Sequence, residues 1–75
     1  MMIIFDAAKL TRLMLHRALT REAIAAQMQL ILGRDTISGT TVAYWQQGGC
    51  PRADMLWALA QVFALPMECW FTNDI

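Results

Sequence analysis

The side chains that could do chemistry in this 75-residue chain are few and scattered. Cys50, Cys69 and His16 are its soft ligands, too far apart for a zinc pattern, and two cysteines are too few for a disulfide framework. Both thiols are expected to stay reduced. His16 lies among basic residues with no nucleophile or carboxylate spaced to serve it. Ser38, the one serine, stands where a helix cap would, and the acids show no pairing suited to acid–base work. An enzyme is not expected, nor a metal, a cofactor or a small-molecule substrate. What remains is recognition chemistry: hydroxyl, amide and aromatic groups gathered on one short segment, Ile37-Ser38-Gly39-Thr40-Thr41-Val42-Ala43-Tyr44-Trp45-Gln46-Gln47-Gly48. Trp45 reads as its inward anchor and Gly48 as its stop. A short helix displayed on a packed support is how many small proteins read DNA.

The elements that must position this segment can be read from helix grammar. Asp6 predicts a first helix to about Ala18, with Ala7, Leu10, Leu13, Met14 and the stem of Arg17 inward and Lys9, Arg12 and His16 on the polar side. Thr20 caps a second helix from Arg21, Leu19 staples onto Ile24, Ala25, Met28 and Leu32 continue the buried side, and Gly33 ends it. A polar connection, Arg34 to Ile37, leads into the third helix, about Gly39 to Gln47. Gly48-Gly49-Cys50-Pro51 separates it from a fourth, with Pro51 in the first turn and an end near Ala64. After Pro66, Met67 to Phe71 suits a short fifth helix, followed by a frayed tail, Thr72 to Ile75. The connections are short, so the expected fold is all-α, a four- to five-helix single domain over 1–75 with its core about 7–71. Met1 to Phe5 is β-prone and reads equally as a strand, an arm or a helix extension.

Composition bounds the rest. Hydrophobic residues make up 57% of the chain, which is high for a soluble domain, yet no run reaches the length needed to span a bilayer. The opening residues lack the basic flank and cleavage site of a signal peptide, so a cytoplasmic protein without a membrane partner is expected. Net charge is zero, but the halves differ. Residues 1–34 carry Lys9, Arg12, Arg17, Arg21 and Arg34 against Asp6 and Glu22, while residues 35–75 carry Arg52 against Asp35, Asp54, Glu68 and Asp74. Such a split suits one face toward phosphate and another toward a partner; it equally suits solvated helix faces.

Taken in order, Leu19-Thr20-Arg21-Glu22-Ala23-Ile24-Ala25-Ala26-Gln27-Met28, then Ile37 to Gly48, then Pro51 and the Leu56, Leu59-Ala60, Phe63, Leu65 series, resemble the helix-turn-helix of the phage-repressor and Cro type, the lambda-repressor-like domain. The resemblance covers about residues 7–71. It implies a DNA-binding transcriptional regulator whose third helix enters the major groove of operator DNA while the start of the second holds phosphate. Carried over by position, Arg21 would face phosphate. Gly39, Thr40, Thr41, Ala43, Tyr44 and Gln47 would lie along the groove, with Thr40 offered to a base edge or thymine methyl and Ala43 to apolar contact. Thr40 and Thr41 read equally well as local backbone caps. Two departures stand out. About seven extra residues lie between Met28 and Ile37, enlarging the turn by a longer second helix or a protruding loop, and the third helix has no Arg, Lys or Asn. Specificity would then come from Gln46 or Gln47, from Arg34, or from DNA shape.

The fourth helix is apolar nearly all round, which predicts cover from a second chain. Trp57, Met67, Trp70 and Phe71 are the expected contacts of a homodimer, although either tryptophan could instead fill the core. The competing class is a protein-binding module, an antirepressor or antitoxin-like partner on the same scaffold, favoured by the zero net charge and the Gly39/Ala43 face.

Overall fold

The first two helices begin where the sequence supplies a side chain for their open backbone. The computed structural model describes residues 2–33 and 37–74. Strand β1 is Met2–Phe5, and helix α1, Ala7–His16, begins where Asp6 Oδ1 accepts from the Lys9 N–H at 3.0 Å. Helix α2, Arg21–Leu32, begins where Thr20 Oγ1 accepts from the Ala23 N–H and stops at Gly33, whose φ of 70° is left-handed. Helix α3 is Gly39–Gln46, helix α4 is Ala53–Phe63, a 3₁₀ turn spans Met67–Trp70, and strand β2 is Phe71–Asp74.

Several expectations change. α1 stops at His16, short of Ala18, because Ala18 turns left-handed at φ 53° and Leu19 N–H reaches back to the Met14 carbonyl at 2.9 Å. Ala64 closes α4 in the same way, at φ 55° with Leu65 N–H bonded to the Ala60 carbonyl. Ser38 holds the cap position of α3, but its side chain makes no capping bond; its carbonyl alone accepts, from Thr41 and Val42. Pro51 lies ahead of α4, whose cap is Arg52, instead of in its first turn. The supposed fifth helix is only a 3₁₀ turn, and Thr72 to Asp74 of the supposed frayed tail lie in a strand, Ile75 falling outside the described residues. β2 pairs antiparallel with β1, Ile4 opposite Thr72 and Phe5 opposite Phe71. The fold is therefore mostly helical with a small two-stranded sheet, not all-α, and the β-prone opening segment is a strand over Met2–Phe5.

The core explains why α4 can be so apolar. Met55, Leu56, Ala58, Leu59, Ala60 and Phe63 are all buried within one chain, because α2, the 3₁₀ turn and their neighbours close around α4. A second chain is not needed to cover it. Trp70 is fully buried, stacked on Phe5 with ring centres 6.1 Å apart and tilted against Phe63 at 5.5 Å. It therefore leaves the list of dimer contacts, and Met67 also packs against this core. Trp57 and Phe71 stay at the surface, 47% and 36% exposed. Between Met28 and Ile37, α2 runs on to Leu32 and ends at Gly33. Ile37 then returns to the core, 2% exposed, with its carbonyl accepting from Gln29 Nε2.

Candidate nucleic-acid interface

The period of α3 sorts its side chains into two faces. Val42 and Trp45 point inward, 0% and 3% exposed, and brace the helix against the core. Thr40, Tyr44 and Gln47, spaced by four and three residues, are exposed on the opposite face, and Gly39, Thr41 and Ala43 flank it half-exposed. The residues expected to lie along a groove thus share an accessible surface, apart from Arg34, which falls outside the described residues.

Arg21 stands beside this surface and is fixed there. Its Nε donates to Gln46 Oε1 at 2.6 Å, and Gln46 Nε2 donates to Thr11 Oγ1 at 3.1 Å. One amide thereby ties α1, α2 and α3 together. Because a guanidinium has five N–H donors, a bond through Nε leaves the two terminal nitrogens, with about four donors, for an anion. Gln46, expected among the base readers, instead spends both ends of its amide inside the protein. Nothing in the sequence marks Thr11 as its partner, 35 residues away.

The other cations of the basic half are used differently. Lys9 Nζ donates to the Cys69 carbonyl at 2.7 Å, and Arg17 donates to the Phe63 carbonyl at 3.2 Å while its guanidinium sits 5.3 Å from the Phe63 ring centre. Both close the end of the fold that holds Trp70. Arg12 is exposed, on the rim of a shallow hollow shared with Lys9, Leu13, His16 and Leu65. Arg52 lies 3.7 Å from Asp54, both near the surface.

Two glycines shape the α3 surface. A methyl on Gly39 would meet the Glu22 carboxylate, which therefore lies over the first turn of α3, where the helix dipole favours a negative charge. A methyl on Gly49 would meet the Tyr44 ring, so that ring lies against the backbone following α3. Tyr44 remains 61% exposed and presents an aromatic face and a hydroxyl together. Among the described residues, no three of His, Cys, Asp and Glu converge on a point that could hold a metal. Nor is any described helix long and apolar enough to cross a membrane.

Compared with protein-family models, with curated proteins and with solved structures, the chain has no match.

Proposed function

We propose that this chain is a DNA-binding transcriptional regulator of the lambda-repressor-like kind, a cytoplasmic homodimer that lays α3 in the major groove of operator DNA. The observation that carries this reading is the accessible Thr40, Tyr44, Gln47 face, braced from behind by Val42 and Trp45 and flanked by an Arg21 with free donors. Phosphate contact by Arg21 fixes the register of the helix on the duplex. With no cationic base reader on α3, sequence discrimination comes from Thr40, Tyr44 and Gln47 together with the shape of the DNA. No catalytic step is assigned.

Binding of a mixed-sequence duplex, followed by fluorescence anisotropy across a salt series, tests this. Wild-type protein binds at low salt, and Arg21→Ala weakens binding and lowers the log–log salt slope by about 1. Absence of binding at low salt contradicts it. One observation favours the competing reading of a protein-binding module: Glu22 places a carboxylate over the α3 start, where a phosphate would otherwise be welcome. In that case Glu22→Gln leaves DNA binding absent instead of strengthening it.

A further inference from the structure

Two basic side chains of the first half have no part in the contacts described above. Among the described residues, Arg12 and His16 make no hydrogen bond or ion pair. Together with Lys9, Leu13 and Leu65 they line a hollow of about 430 Å³ between α1 and the chain that follows α4. That volume lies within the usual range of small-molecule clefts, about 300–1,000 Å³. Helical period explains the grouping, since positions 9, 12, 13 and 16 fall on one side of α1. Thr11, which accepts from Gln46 of α3, falls on the far side. The hollow is therefore separate from the α3 surface.

Its floor is apolar and its rim is cationic. Leu13 and Leu65 are half-buried and pack on the core, so each offers one flank to the hollow. Lys9 Nζ donates to the Cys69 carbonyl at 2.7 Å, which holds the ammonium at the wall and leaves two of its three N–H donors. Arg12 adds a guanidinium with five N–H donors, and His16 an imidazole that keeps an N–H in either protonation state. No carboxylate lines the hollow to answer them. Asp6, one turn back, is occupied at the start of α1, where it accepts from the Lys9 N–H.

We infer that this hollow binds a small organic anion, its charged head on Arg12 and His16 and its apolar body on Leu13 and Leu65. The combination selects the occupant. A bare ion gains nothing from the two leucines, and a neutral apolar molecule gains nothing from the three cations. On the function proposed above this is an effector site, but the binding itself requires neither DNA nor a second copy.

Titration of the full chain with octanoate, followed by NMR, tests the inference. Saturable shifts centre on Leu13, His16 and Leu65, with a dissociation constant of about 1 mM or below, as suits a ligand of about ten non-hydrogen atoms. Arg12→Gln raises that constant at least about fivefold with melting unchanged, Arg12 being exposed, whereas Arg52→Gln, outside the hollow, leaves it as it was. Acetate gives no saturable shift at the same concentrations, and octanol binds at least about fivefold more weakly than octanoate. Saturation by acetate would mean an adventitious ion only, and equal binding of octanol a merely apolar patch. Either result, an Arg12→Gln variant that binds like wild type, or octanoate shifts that do not saturate overturns the inference. All of these are read without DNA, so they fail independently of the duplex assay.

Discussion

Arg17 and Arg21 are four residues apart in sequence and bond different parts of the molecule. Arg17 reaches over Phe63 and bonds the carbonyl that ends α4, at the end of the fold where Phe5, Phe63 and Trp70 stack. Arg21 stands at the α3 surface, with one nitrogen held by Gln46 and the rest turned outward. The first arginine is a structural clasp and the second is an oriented, available charge. The count of basic residues in the first half of the chain therefore overstates the charge available to a phosphate backbone: Lys9 and Arg17 are committed to main-chain carbonyls. The α3 surface is polar and accessible, while Phe5, Phe63 and Trp70 are closed off from solvent.

The most severe way to break that contrast is to remove the brace of the accessible face. Trp45→Ala takes out a 3%-exposed indole and is expected to cost about 3–5 kcal/mol by chemical denaturation, comparable to the whole stability of many small domains. Loss of all cooperative unfolding is the expected outcome. A gentler pair of variants separates the two arginines. Arg17→Met lowers stability by about 1 kcal/mol through the lost carbonyl bond and ring contact and leaves duplex affinity unchanged. Arg21→Met does the reverse, weakening duplex binding with stability within about 0.5 kcal/mol of wild type, as is usual for exposed positions. Smallest is Ala64→Gly, which relieves a left-handed alanine at φ 55° and raises stability by about 0.5–1 kcal/mol in the same denaturant assay. A loss of stability there would mean that the helix end relaxes around alanine without strain.

The helices were legible because their stop and start signals are local. Asp6, Thr20 and Gly33 act within three or four residues of themselves, and the structure uses all three as the sequence suggests. The α3 faces were legible too, since Val42 and Trp45 sit on one side by helical period alone. The sheet was not. In Phe71-Thr72-Asn73-Asp74 the strand preference of the first two residues is offset by Asn73 and Asp74, and the segment pairs with residues at the other end of the chain. Trp70 could not be assigned to the core from local pattern, because a 3₁₀ turn followed by a strand has no helical face to read. Lys9 and Arg17 read as surface charge because their long stems let the heads reach carbonyls far along the sequence. The Gln46–Thr11 bond is of the same kind: both residues look like ordinary polar surface until α1 and α3 are packed. The exposure of Leu15 and Leu30, 78% and 84%, was likewise unanticipated, since helical period alone does not say which apolar positions lack cover.

On the function proposed above, DNA meets α3 and the start of α2 and not the Trp70 end. Backbone amide shifts followed by NMR during titration with a duplex at low salt measure this residue by residue. Saturable changes are expected at Thr40, Ala43, Tyr44, Gln47 and Arg21, with Arg17, Phe63 and Trp70 unmoved. Changes centred on the Phe63–Trp70 end, or a spectrum that duplex leaves untouched at low salt, would contradict it.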